Sequence, residues 1–422
     1  MKDAAPAKGM PQGALLALVL LTSLNLFNYI DRFILPGVQT LVQSEFRIND
    51  EKIGELTTAF FVVYMLTAPL TGWMGDRFRR KPLIVAGALL WSALTLTTGL
   101  VHSYRELYVR HALVGIGEAS FGIFAPALIA DYFPKTARNR VLSWFYIAIP
   151  VGAALGYAIG GVLGGHYGWR VPFYVSAIPG ALIALCILFF MREPERGATE
   201  RVATPRNGAT FAGMFVGLFK NPAYLTATFG MVLLTFSMGG ISVYMPTFLH
   251  RFAGYSVSKA GLVMGASLAL CGLVATGVGG WLAQRWLQRN NGALYLLSAW
   301  SLLLCIPFGM LAFYGTAKWI VPAIVVAIFF LFLNTGPLNA AIVNSVTAKI
   351  RATAIALELL LIHLLGDAVS PKLIGRISDA SSLRNGLAIT LVSMLAGGLL
   401  LLWGSRFAPE LDREVAMTPA GT

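Results

Sequence analysis

Gly72-Trp73-Met74-Gly75-Asp76-Arg77-Phe78-Arg79-Arg80-Lys81 stands between two long apolar runs, and roughly half a chain later Gly280-Trp281-Leu282-Ala283-Gln284-Arg285 stands between two more. Small residues, a tryptophan and an arginine recur at matching positions, as expected of a duplicated unit. A coincidence of this length in a biased composition is the competing explanation. The second copy carries Gln284 where the first carries Asp76.

Outward from these loops the chain is a series of apolar stretches. Of its 422 residues, 57% are apolar and 12% charged, against roughly 25% charge in an ordinary soluble domain. A helix needs about 20 apolar residues to cross a hydrocarbon core about 30 Å thick. Spans are expected at 14–40, 54–75, 82–101, 106–131, 139–165, 171–191, 221–249, 258–283, 292–314, 319–347, 351–376 and 383–407. The runs are continuous, not alternating, so helices are preferred to barrel strands. The expected fold is all-α, with twelve spans in two pseudo-symmetric bundles: residues 1–191, a cytoplasmic linker at 192–220, and 221–422 with a cytoplasmic tail. Parallel repeats of this kind place a substrate site between the halves and work by alternating access.

The net charge of +13 invites a nucleic-acid reading, but Lys and Arg concentrate in the termini and in the short loops on one side of the expected membrane. That distribution reads as topology, with both termini cytoplasmic, and no nucleic-acid partner is expected. Cys186, Cys271 and Cys305 fall within spans at no metal-ligand spacing, so they read as packing residues, and neither metal nor cofactor is expected. No GxxxxGK[ST] run occurs, so energy would come from an ion or substrate gradient. The polar start leads into a run too long for a signal peptide, so an uncleaved first helix is expected.

GWMGDRFRRK closely resembles the loop signature of the major facilitator superfamily. The resemblance implies that Gly72, Asp76, Arg77, Arg80 and Lys81 form a latch on the cytoplasmic side in the outward-facing state; the plainer alternative is that the charges only set topology. Three further stretches, Asn28-Tyr29-Ile30-Asp31-Arg32, Gly115-Ile116-Gly117-Glu118-Ala119-Ser120 with Ala125-Pro126-Ala127-Leu128-Ile129-Ala130-Asp131, and Phe145-Tyr146-Ile147-Ala148-Ile149-Pro150-Val151-Gly152, together look like the Spinster family of lysolipid and sphingosine-phosphate transporters. One departure is His111 where the superfamily carries an arginine, with Arg110 one residue earlier. Gly152, Gly156, Gly160 and Gly161 resemble a span-5 motif of drug/proton antiporters, and close helix packing is the preferred explanation.

Ionisable groups inside a membrane need a partner or a wet cavity. Asn25, Asn28 and Arg32 fall on one stripe of span 1, expected to face the cavity, with Asp31 at its edge looking toward span 4. Arg32 is assigned the anionic head group of a substrate, because a guanidinium binds phosphate in bidentate fashion. Asp31 and Glu118 are the candidate proton carriers, and Glu118 also a substrate contact with Asn28; structural ion pairing is the alternative. Arg110 reads as structural and His111 as interfacial. In span 11, His363 and Asp367 form an i, i+4 pair, open between substrate contact and packing, with Glu358 on roughly the opposite face. Lys372 and Arg376 are expected to snorkel. Ser237, Ser242, Tyr244, Asn334, Thr335 and Asn339 either line a cavity or satisfy backbone.

The expectation is a monomeric, non-enzymatic secondary transporter in a bacterial inner membrane, moving an amphiphilic lipid with an anionic head group and coupled to protons. A carrier of small organic anions or drugs shares every charge named, and a receptor or scaffold on the same fold is a third reading.

Overall fold

The computed structural model describes residues 11–195, 217–347 and 350–410. Among these, 12 helices are long and apolar enough to span a membrane. In chain order they are α1 (Ala14–Phe46), α2 (Asp50–Gly75), α3 (Arg80–Thr98), α4 (Tyr104–Tyr132), α5 (Arg140–Tyr167), α6 (Val171–Phe190), α7 (Pro222–Phe252), α8 (Val257–Leu287), α9 (Ala293–Tyr314), α10 (Ala317–Asn344), α11 (Thr353–Ala380) and α12 (Leu383–Phe407). Several overrun their expected ends. At 33 residues, α1 is about 50 Å long, well beyond a hydrocarbon core of about 30 Å. Hydropathy marks the stretch that lipid would cover, whereas backbone hydrogen bonding carries the helix past it.

Two helices are irregular. α10 is interrupted at Asn334, just before Gly336-Pro337, and α11 contains a π-helical segment, Ile362–Asp367. A π-turn inserts a residue, which rotates every later side chain relative to a regular helix.

The chain divides into two compact units. The first comprises Met1–Ile48, Ala59–Asn207 and Ser256–Gly265; the second comprises Asn49–Thr58, Gly208–Tyr255 and Ala266–Thr422. The start of α2 thus belongs with the second unit and the start of α8 with the first. Glycine permits both placements. A Cβ on Gly54 would run into the backbone of Pro371 and Lys372, and one on Gly161 would lie 2.9 Å from the Cα of Gly261.

Within the first unit, α5 lies along α1 through the glycines singled out in the sequence. A Cβ at Gly152 would sit 2.7 Å from the Leu26 carbonyl oxygen, and one at Gly156 would sit 2.6 Å from that of Ile30. Backbone-to-backbone packing of this kind depends on dispersion at close range. The cysteines are unpaired; Cys271 and Cys305 are buried, each with its sulfur against a backbone carbonyl.

Candidate functional site

In the first unit, α1 and α4 bring opposite charges together. The Arg32 guanidinium donates from Nε to Glu118 Oε2 at 3.1 Å and from Nη2 to the same oxygen. Four rings surround it: Tyr29 and Phe60 with centroids at 5.0 Å, Phe61 at 5.8 Å and Tyr64 at 6.0 Å. Aromatic faces stabilise a cation that has lost part of its hydration shell. The arginine side chain keeps 21% of its exposure while that of Glu118 keeps 1%. A solute can therefore reach Arg32 more readily than the carboxylate.

Arg32 engages one carboxylate oxygen and leaves the other to Asn28. Glu118 Oε1 takes no part in the ion pair, and Asn28 is the neighbouring side chain placed to donate to this carboxylate. Asn28 thus lies against Glu118 as the stripe predicts. Asn25, on the same stripe, donates instead to the Phe145 carbonyl of α5 at 3.0 Å. It satisfies helix packing and does not belong to the charged site, a correction to the expected face.

Asp31 lies deeper than Arg32. Glu118 of α4 is among its neighbours, as its expected direction implies, but the direct contact with α4 is made by Arg32. Successive helical side chains diverge by about 100°, so Asp31 turns into the interior, where Thr95 and Trp91 of α3 and Ser176 of α6 lie beside it. Asp31 is 6% exposed, and Ser176, Thr95 and Trp91 are the groups placed to donate to its carboxyl. The result is a buried carboxyl with no cation of its own behind the Arg32–Glu118 pair. Arg110 donates to the Thr97 carbonyl at 2.7 Å, a structural role, and His111 packs against Phe60.

In the second unit, His363 Nδ1 lies 2.8 Å from Asp367 Oδ2 across the π-turn. Most of the polar residues considered for a cavity serve the backbone: Ser237 donates to Leu233 and Thr390 carbonyls, Ser242 to Gly239, Tyr244 to Asp50 and Pro371, and Asn339 to Thr335. Asn334 donates to Ser301 Oγ, while Thr335 Oγ1 is buried without a partner.

At the loop between α2 and α3, the Asp76 side chain lies outside the described residues. Arg80 pairs with Asp131 at the end of α4 at 2.5 Å, and its amide donates to Glu193 Oε1 at 2.6 Å. A Cβ at Gly75 would meet the Phe124 ring at 2.5 Å, whereas Gly72 faces open space and Arg77 is exposed. Arg77 stacks on Trp73 at 4.2 Å, and Arg285 stacks on Trp281 at 4.6 Å in the second copy. The sequence repeat is therefore also a repeat of local geometry.

The Major Facilitator Superfamily model matches residues 21–371. Protein spinster homolog 1 of Homo sapiens is 35% identical over 393 residues, covering 87% of this chain and 74% of the relative. The sphingosine-1-phosphate transporter of Danio rerio is 33% identical over 376 residues, covering 84% of this chain and 74% of that protein. The chain belongs to the Spinster family of the major facilitator superfamily. A solved bacterial homolog of the human lysosomal transporter Spinster, in an inward-facing and unoccupied conformation, shares its fold at a TM-score of 0.87 with 24% identity, covering 95% of this chain and 98% of that one. This Spinster protein is accordingly a multi-pass membrane protein and a secondary transporter, and its relatives and fold are those of transporters, not enzymes.

One cluster in this Spinster chain had no signal in the sequence. Asp50 opens α2, is 3% exposed, and accepts from Arg251 Nη1 and Nη2 at 2.7 and 2.8 Å and from Ser378 Oγ at 2.5 Å. Asp379 in turn accepts from the amides of Asp50 and Glu51 at 3.0 and 2.8 Å, capping α2 with a residue of α11. Lys372 and Arg376, expected to snorkel, instead reach Glu55 and Glu51, each at 3.4 Å. Partners 201 to 329 positions away leave no local pattern to read.

Proposed function

We propose that this transporter moves an amphiphile with an anionic head group, of the lysophospholipid or sphingosine-phosphate kind, by alternating access coupled to protons. The observation that carries the proposal is the Arg32–Glu118 pair in its aromatic cage. A guanidinium that already holds a carboxylate cannot offer the same donors to a phosphate. Protonation of Glu118 removes the competing charge and frees Arg32 for the head group. Deprotonation restores the pair and expels the anion. Proton and substrate are thus coupled through a shared arginine, and Asp31, buried close behind, is the second group able to take the proton. Asn28 orients Glu118, and the His363/Asp367 pair offers a secondary substrate contact.

The lipid character follows from the family, whose member in Danio rerio is named for sphingosine-1-phosphate. Two six-helix bundles, at 1–191 and 221–422, joined by a linker at 192–220, would rock about the site, with Gly72, Asp76, Arg77, Arg80 and Lys81 as the latch. The protein would act as a monomer in a bacterial inner membrane, with both termini cytoplasmic.

Flux in proteoliposomes under an imposed pH gradient tests this reading. Lysophospholipid uptake by the wild type should follow the gradient. Glu118→Gln should abolish that dependence while leaving binding through the apolar tail. Competition by small organic anions but not by lysolipid would overturn the substrate assignment; pH dependence unchanged by Glu118→Gln would overturn the coupling.

A further inference from the structure

A second buried carboxyl lies in the other unit. Glu358 of α11 is 5% exposed, and among the described residues nothing donates to it or pairs with it. Its surroundings follow from helix register. Tyr224 donates to the Ala354 carbonyl at 2.7 Å near the starts of α7 and α11, and Tyr244 donates to that of Pro371 at 2.9 Å farther on. Residue numbers rise together, so the helices run parallel. One turn beyond the first bond, each helix advances about four residues, which brings Thr228 level with Glu358 on the facing sides. Thr228 is wholly buried; its hydroxyl is placed to donate to Tyr224, and among the described residues nothing donates to its Oγ1. Tyr224 lies beside both groups.

The titratable groups around Glu358 are few. α7 brings Tyr224. The stretch of α10 packed on the start of α11, Thr335–Asn344, carries none. On its own strand of helix, Arg351 lies two turns earlier, and His363 with Asp367, bonded to each other, lie more than a turn later. A buried carboxylate without a cation is unfavourable, whereas the neutral acid loses far less on leaving water and gains an O–H donor. The hydroxyl of Thr228 is an acceptor in need of a donor.

We propose that Glu358 binds a proton and holds it toward Thr228, making a proton-binding site in the second unit separate from Asp31 and Glu118. The inference extends the proton-coupled reading above and rests on it only for the use of that proton in transport, not for its being bound.

The infrared spectrum of the purified full-length protein at neutral pH tests it. The wild type should show a carboxylic-acid carbonyl band that Glu358→Gln loses and Glu118→Gln keeps. Thr228→Val should shift the same band by removing its hydrogen-bond acceptor. A band unchanged in a folded Glu358→Gln protein overturns the proposal. Should that variant not fold, an unshifted band in Thr228→Val overturns it instead. Neither outcome depends on flux, so a failure here is distinguishable from a failure of proton-coupled transport in the wild type.

Discussion

Arg32 does three things at once: it holds Glu118, it is enclosed by four aromatic rings, and it keeps a fifth of its surface open. Lysine carries the same charge but offers a point cation without the planar fork or the stacking face. Arg32→Lys is therefore expected to weaken head-group binding by about tenfold or more, equivalent to about 1.4 kcal/mol. Binding of a short-chain lysophospholipid by calorimetry measures this, and affinity within twofold of wild type would contradict it. The neighbouring residue illustrates how much a single step along a helix matters: Asp31 is adjacent in sequence and faces Thr95, Trp91 and Ser176 instead. Helical arithmetic predicts the divergence between Asp31 and Arg32. It does not say which neighbour each will meet, because that depends on where α3, α4 and α6 sit around α1.

Among the helices, α1 and α5 are held by contact of backbones, and the glycines that permit it were readable as small residues at helical spacing. Gly156→Leu would drive a side chain into the Ile30 carbonyl and the Phe33 Cβ. Overpacking of this sort costs typically about 1–3 kcal/mol, and here it should lower the melting temperature and the yield of folded protein in detergent. The start of α2 presents the opposite case. Its cap is Asp379, supplied from a distant helix, and the Asn49 side chain serves only Lys52. Asp379→Ala should cost about 0.5–2 kcal/mol, as lost helix caps do. Exchange of the Asp50 and Glu51 amides with deuterium should accelerate, while amides in the middle of α2 stay protected. The π-turn at Ile362–Asp367 likewise had no sequence signature, since it depends on how α11 seats against α7.

At the scale of the whole chain, the two segments that change unit, Asn49–Thr58 and Ser256–Gly265, hold equivalent places: each opens the second helix of its repeat. The duplication thus extends to which part of each half packs away from it. The loop beneath α2 and α3 belongs to this scale as well, because Arg80, Asp131 and Glu193 join three chain segments at one point. If that cluster governs conformational change and not recognition, Asp131→Asn should lower kcat several-fold while KM stays within about twofold. Steady-state uptake over a range of substrate concentration separates the two constants, and a change confined to KM would argue against a latch.

Twelve spans, the repeated loop and the presence of Arg32 and Glu118 as interior charges were legible in the chain, because lipid imposes long apolar runs and makes each interior charge conspicuous. Tertiary structure alone decided that Arg32 takes Glu118 while Asp31 faces α3 and α6, that Asn25 is spent on the Phe145 carbonyl, and that Asp50, Arg251, Ser378 and Asp379 meet. The physical reason is one of range. Hydrophobic periodicity is a property of neighbours along the chain, whereas hydrogen bonds and ion pairs within a bundle are chosen by which helices stand side by side.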